Sequence, residues 1–490
     1  MSSTSPLLEQ VRGLLGSAVT QFRGTDVGAQ LDDVLGRLDE PLRVAIAGKV
    51  KAGKSTLLNA LVGEELAPTD AGECTKIVTW YRDGVTYRVM LHPKTGEPRQ
   101  IPFARDAAAI EVDLGSTDAA AVERLVVDWP TSALKQLTLI DTPGIGSLST
   151  DVSARTTSFL APDEDRVTAA DAVLYLMKHL HSTDMDFLAS FHDEEVSQAT
   201  PVNAIAVLSR ADEVGAGKPE SMDSARRIAA RYRTDPKVRR LAQTVVPVAG
   251  LLAVTGETLR EAEYAALAAL ARSTDPPVEK LLVSADRFVN LSTTVLTSME
   301  REALLDRLGL FGVRFATTKI REGEVANAGA LSTALIECSG LDDLRRVLLS
   351  QFADRRDVLK ARSGLLAVEA AVRTAPVEGA DALLNEVERI SASAHEFREI
   401  RLLNSLRAGG IKGKPEDLDA MERLLGTSGT TPAARLGLDA TADVNAVRAA
   451  VQTELARWQK KAESPMATPE MADAARVLVR TCEGMLAGGG

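Results

Sequence analysis

Gly48-Lys49-Val50-Lys51-Ala52-Gly53-Lys54-Ser55 restricts the fold of this chain more than any other segment, because a glycine loop of this spacing grips phosphate only between a strand and a helix. Both flanks comply. Leu42-Arg43-Val44-Ala45-Ile46-Ala47 reads as a short buried strand, and Thr56-Leu57-Leu58-Asn59-Ala60-Leu61 reads as the opening of a helix. The glycines let successive N–H groups curl around a phosphate, and the helix N-terminus adds partial positive charge. Gly48, Lys49, Val50, Lys51, Ala52, Gly53 and Thr56 are expected to line a bound nucleotide, Lys54 to reach its outer phosphates, and the Ser55 hydroxyl to ligate Mg2+.

Further apolar runs follow at Leu137–Ile140, Ala172–Met177, Val202–Leu208 and Val245–Val248, separated by helical patterns such as Asp223–Tyr232. That alternation predicts an α/β domain, a parallel-rich central sheet with helices on both faces. A long insert carries strand-like stretches at Ile77–Tyr81, Val85–Leu91 and Leu125–Val127. Beyond about residue 279 the strand signal fades. Leu341, Leu344, Leu348, Phe352, Leu359 and Leu366 form one helical stripe, and Leu383, Val387, Ile390, Ala394, Phe397 and Ile400 another. At the start, Leu7, Leu8, Val11, Leu14, Leu15, Val19 and Phe22 share a helical face that needs a partner, which we place in the C-terminal helices. The expected division is N-terminal amphipathic helices over 1–40, an α/β domain over 41–289, and an all-α bundle over 290–490 that takes in the N-terminal helices.

Three more motifs sit after strand-like runs. Asp141-Thr142-Pro143-Gly144 places a carboxylate opposite the glycine loop to hold Mg2+, and leaves the Gly144 N–H free to approach a γ-phosphate. Thr75, in the polar loop Pro68–Thr75, is a candidate Mg2+ ligand while a γ-phosphate is present, which would make the loop a switch. Ser209-Arg210-Ala211-Asp212 offers a carboxylate that can accept both hydrogen bonds from the N1 and N2 edge of guanine, a donor pair adenine lacks. Pro247-Val248-Ala249-Gly250 ends the next strand and offers a backbone N–H to the guanine oxygen.

A formal net charge of −11, with no basic stripe, argues against a nucleic-acid partner. Cys74, Cys338 and Cys482 lack metal-ligand spacing and form no disulfide framework, as suits a reducing cytoplasm. No run approaches the ~18–20 apolar residues that span a membrane. Two segments are weighed as peripheral contacts. Arg407–Lys414 sets Ile411 among basic residues but reads better as a solvated turn, and Leu308–Val313 reads better as buried core.

With four motifs in order, the chain resembles a GTPase of the dynamin superfamily, and within it the actinobacterial isoniazid-inducible dynamin-like proteins. Pro68, Gly72 and Thr75 follow the dynamin switch-loop arrangement. Glu40–Arg43, Lys51–Thr56, Ala67–Asp70, Ser209–Glu213, Pro247–Leu252 and Ser339-Gly340-Leu341 carry the likeness. The resemblance implies a GTPase head on a helical neck and stalk, with GTP as substrate, GDP as product and Mg2+ as cofactor. It further implies homodimerisation of heads across the nucleotide, a second dynamin-like paralogue as partner, and peripheral contact with the inner face of the cytoplasmic membrane, which GTP turnover remodels.

Two departures bear on mechanism. Dynamins usually carry Gln-Ser where this chain has Val50 and Lys51, and valine cannot hydrogen-bond an attacking water. Lys51 either supplies the compensating charge directly, as an arginine finger does at a gain of about 10³–10⁵ in rate, or is solvated or paired with a carboxylate. Ser209 and Arg210 replace the usual Asn/Thr and Lys of the guanine motif. A GTP-binding scaffold that hydrolyses little and assembles with a catalytic paralogue is the alternative function.

Overall fold

Leu42–Gly48 (β1) is buried at every position, as a strand covered on both faces must be. The computed structural model, which describes residues 5–68, 77–106, 109–143, 170–179, 184–185, 188, 203–274, 277–291, 295–375, 377, 379–407 and 409–487, sets β1 inside a nine-stranded sheet, between β9 and β8. The other strands are β2 (Val78–Arg82), β3 (Arg88–Pro93), β4 (Arg99–Ile101), β7 (Val122–Asp128), β8 (Leu137–Asp141), β9 (Ala172–Met177), β10 (Ala204–Ser209) and β11 (Val245–Val248). A separate hairpin pairs β5 (Phe103–Asp106) with β6 (Ala109–Val112), an element the sequence pattern does not announce.

The strand order is β11-β10-β9-β1-β8-β2-β7-β3-β4. From β11 to β8 all pairing is parallel. The insert extends the sheet in mixed fashion: β2 runs antiparallel to β8, β7 parallel to β2, and β3 antiparallel to β7. β3 and β4 are joined by a link too short for a crossover, so they too pair antiparallel. The four motif-bearing strands β1, β8, β10 and β11 therefore all end at one edge. Ile46 lies beside Asp141 in register, Gly48 beside Leu176, and Ser209 beside Val248. The crevice outside such carboxyl ends is where open α/β sheets bind ligands.

Successive side chains of a strand face opposite ways, so the sheet feeds two cores. Val44, Ile46, Leu139 and Leu174 join the N-terminal helices and those built from Leu341 to Ile400. Ala45, Ala47, Val173, Tyr175 and Leu208 join Leu304, Leu308, Phe311, Val313, Leu331 and Leu335. The apolar face of helix Pro6–Gln21 packs on helix Arg356–Thr374 so closely that a Cβ at Gly364 would lie 2.6 Å from Val11 Cγ1. No break in the core coincides with 289/290, because helices well beyond that point cover the sheet. A third core, from Leu402 to Cys482, belongs to the C-terminal helices alone. Leu308, Phe311 and Val313 are buried, and so is Ile411, whose loop turns its apolar residue inward.

A buried ionic cluster ties the start of β9 to the helices. Asp171 accepts from the Arg43 N–H at 2.9 Å and from Ser363 Oγ at 3.2 Å. Arg37 and Lys360 approach its carboxylate at 3.6 and 3.7 Å, all three side chains buried.

Candidate nucleotide-binding site

Gly53, at φ +92°, is the N-cap of helix Lys54–Val62, so the loop turns through a left-handed conformation that glycine adopts without strain. Lys51 also sits at positive φ (+61°), and its exposed side chain makes no ion pair among the described residues. Val50 is 48% exposed, so the position where dynamins carry glutamine presents only an aliphatic side chain. Lys49 points elsewhere. Its Nζ lies 3.1 Å from Asp184 Oδ1, and the Tyr175 hydroxyl donates to the same oxygen at 2.7 Å. Nothing in the sequence marks Asp184 as a partner of the loop.

Lys54 folds back, donating to the Gly48 carbonyl at 3.4 Å. Ser55 Oγ donates to Asp141 Oδ2 at 2.8 Å, and Thr142 Oγ1 donates to the Ile46 carbonyl at 2.9 Å, fixing the end of β8 against β1. Asp141 Oδ1 is buried and has no hydrogen-bond partner among the described residues. Burial lifts the Asp141 carboxyl above the usual carboxylate range and pushes the Lys54 amine below its own, although each favours the other's charge. Thr75 and Gly144, the other expected contacts to metal and γ-phosphate, lie outside the described residues.

The side where the sequence motifs place the base is assembled from three distant segments. One cavity of about 100 Å³ is lined by Ala52, Gly53 and Thr56, by Ser209, Arg210 and Asp212, and by Val248, Gly250 and Leu251. Ser209 Oγ donates to the Met177 carbonyl at 3.3 Å. Arg210 is in the left-handed region (φ +53°) and pairs with Glu213 at 2.6 Å, which turns its guanidinium away from a purely solvated pose. Asp212 is 5% exposed, and burial raises its carboxyl to about 6.

The helical half packs behind the turn that carries Val248 of this pocket, a contact the sequence motifs do not reveal. The Ala249 N–H donates to the Ser339 carbonyl at 2.9 Å, so it is spent on structure and Gly250 begins the next helix. Gly340, at φ +80°, packs so tightly that a Cβ would stand 2.3 Å from the Pro247 carbonyl oxygen. Ser339-Gly340-Leu341 thus supports the base loop, which gives a physical reason for its place among the segments that carry the family likeness.

A mostly parallel sheet with a glycine loop of the P-loop pattern after an interior strand, an aspartate ending the neighbouring strand and a cavity shared with the loops after β10 and β11 is a dynamin-like G domain. Residues 44–209 match the dynamin family. The chain is 38% identical over 487 residues to the isoniazid-induced protein IniC of Mycobacterium tuberculosis, covering 98% of each. A bacterial dynamin-like protein of Nostoc punctiforme is 31% identical over 147 residues, 28% of this chain and 20% of that one. A chain from a solved oligomerised bacterial dynamin pair overlaps at TM-score 0.33 with 12% identity, over 99% of this chain and 75% of that one, too slight a likeness to argue from. The chain belongs to the dynamin family, as a bacterial dynamin-like protein of the IniC type.

Proposed function

We propose that this chain is a GTPase that hydrolyses GTP to GDP and phosphate, dimerises through its G domain with nucleotide bound, and remodels the inner face of the cytoplasmic membrane. The observation that carries the reading is the single cavity lined by the phosphate loop, the Ser209–Asp212 loop and the Val248–Leu251 turn, with a buried carboxylate on its wall. A desolvated carboxylate is costly unless a partner supplies donors. The N1 and N2 groups of guanine are two donors at the right spacing, and adenine does not present them.

In this reading the N–H groups from Gly48 to Ser55 cradle the phosphates and Lys54 swings from the Gly48 carbonyl to the outer phosphate oxygens. Ser55 and Asp141, with Thr75, would hold Mg2+. The orphaned, buried Asp141 Oδ1 and the adjacent Ser55 hydroxyl fit a hard cation that prefers oxygen. When bound, the ion neutralises charge that builds on the phosphate oxygens. Lys51, exposed and unpaired among the described residues, is free to place its ammonium against the same charge, and the Gly144 N–H completes the contact to the γ-phosphate.

No helix among the described residues is long and apolar enough to cross a membrane, so contact with lipid is peripheral in this reading. The end that carries Lys412, Lys414 and the exposed Met466 (91%) is the place for it. A second dynamin-like protein is the proposed partner. Val50 favours the alternative, a GTP-binding scaffold, because it leaves the attacking water without a side-chain partner from that position. Incubating the purified chain with anionic vesicles and GTP separates the two. Vesicle deformation that requires hydrolysable GTP is expected; GTP binding with neither turnover nor deformation would install the scaffold instead.

A further inference from the structure

Helix Ser298–Arg321 is interrupted near its midpoint, where Gly309 adopts φ +64° and ψ 174°. That combination is essentially restricted to glycine. The interruption lies against the base pocket: a Cβ built on Gly309 would stand 3.4 Å from Asp212 Oδ2 and 3.9 Å from Leu251 Cδ1. Both of those residues line the cavity.

The kink is held by the G domain on each side. Before it, Thr255 Oγ1 donates to the Arg307 carbonyl at 2.5 Å, from the helix that begins at Gly250. After it, Arg314 donates to the Gly217 carbonyl at 2.6 Å. Gly217 closes the loop that carries Asp212 and packs on Leu310 and Phe311. A helix kink has an identifiable cause. Here it is a glycine placed so that backbone, not side chain, faces the carboxylate.

We propose that Gly309 is a specificity-determining residue: its kink lies behind Asp212 and Leu251, two residues of the cavity lining, and holds Asp212 in the orientation that pairs with the N1 and N2 edge of guanine. The proposal rests on the guanine reading of Asp212 given above. Paired hydrogen bonds require both carboxylate oxygens in the plane of the base, and a carboxylate free to rotate loses one of them. A methyl group at position 309 would touch Oδ2 only at ordinary van der Waals distance, but it would force the backbone out of its glycine-only conformation and shift the kink that holds Asp212, turning the carboxylate off the base. The contact to the guanine 2-amino group is lost with it, so GDP loses its advantage over a nucleotide that lacks that group.

Titration of the parental protein and Gly309→Ala with fluorescent GDP, IDP (which lacks the 2-amino group) and ADP tests this. The parent is expected to favour GDP over IDP by about 10–100-fold, the value of a hydrogen bond to a charged group. In Gly309→Ala the GDP to IDP ratio is expected to collapse towards parity. A parent that treats GDP and ADP alike would overturn the guanine reading itself. A guanine-selective parent whose GDP to IDP ratio survives in Gly309→Ala would overturn the role of Gly309 alone. If Gly309→Ala does not fold, hydrogen exchange on the parental protein decides: saturating GDP is expected to slow exchange of the Leu308–Phe311 amides, and unchanged exchange there would overturn the proposal.

Discussion

Ser55 Oγ donates to Asp141 Oδ2 at 2.8 Å, joining the first turn of the phosphate-loop helix to the end of β8 across 86 residues of chain. The pair stands beside a desolvated lysine, Lys54, and Asp141 keeps a second oxygen buried without a partner among the described residues. Such a site is short of compensating charge of both signs, and a phosphate with its magnesium supplies both. Ser55→Ala should therefore lose the magnesium dependence of nucleotide affinity. In the parent, GDP should bind more tightly with Mg2+ than with a chelator, whereas the variant should bind equally with either. Fluorescence titration reads this, and a Ser55→Ala protein as magnesium-sensitive as the parent would take Ser55 out of the metal site.

Asp212 gives the base site a pH dependence whose sign follows from its burial. Its folded carboxyl titrates at about 6 against 3.8 for the free group, so the folded state holds its proton more tightly. The associated stability is fully present below pH 3.8 and is lost as pH rises through about 6, worth ~3 kcal/mol. Asp212→Asn should accordingly raise the melting temperature of the nucleotide-free protein at neutral pH, and the gain should shrink as pH falls from about 6 to about 4. Guanine preference should weaken over the same interval, because the protonated carboxyl accepts poorly. Melting curves and GDP titrations between pH 4 and 8 check both parts.

Gly340 and Gly409 share a left-handed backbone, at φ +80° and +78°, but not their surroundings. A Cβ at Gly340 would collide with the Pro247 carbonyl at 2.3 Å, whereas one at Gly409 would meet nothing within 4 Å. Gly409→Ala should cost only the backbone term, ~1 kcal/mol. Gly340→Ala should cost more than ~2 kcal/mol and also weaken GDP binding, because the displaced Pro247–Ala249 turn forms the base pocket. Denaturant unfolding of the two variants side by side provides the comparison.

The cluster at Asp171 makes opposite demands on its members. Asp171→Ala leaves Arg37 and Lys360 buried without their shared carboxylate, and should cost ~3–5 kcal/mol. Lys360 is itself pushed down to about 8 by burial. The unfolded chain thus binds the extra proton between about pH 8 and 10.5, and this group makes stability rise with pH across that window. Lys360→Met should cost less than Asp171→Ala and abolish that rise, as urea melts at pH 8 and 10 would show.

The G domain was legible because its signals are local. A glycine loop, a strand before it and a helix after it are consecutive in sequence, and the parallel strands read as unbroken apolar runs. The long helical stripes were legible for the same reason. What the sequence hid is contact between distant segments: Asp184 on Lys49, Gly309 on Asp212, and Gly340 on Pro247. Gly309 sits in an apolar run whose helical pattern is strong enough to mask the break, and only its neighbour in space explains the glycine. The mixed pairing of β2, β7 and β3 was equally out of reach, since strand-like composition does not state direction.

Phosphate release from GTP and from ATP by the purified chain, with Lys54→Ala as control, tests the central claim most directly. The account predicts release from GTP, little from ATP, and none in the control. Equal release from both nucleotides would remove Asp212 as the reader of guanine, and release that survives Lys54→Ala, or is absent throughout, would contradict the assignment of this chain as a GTPase.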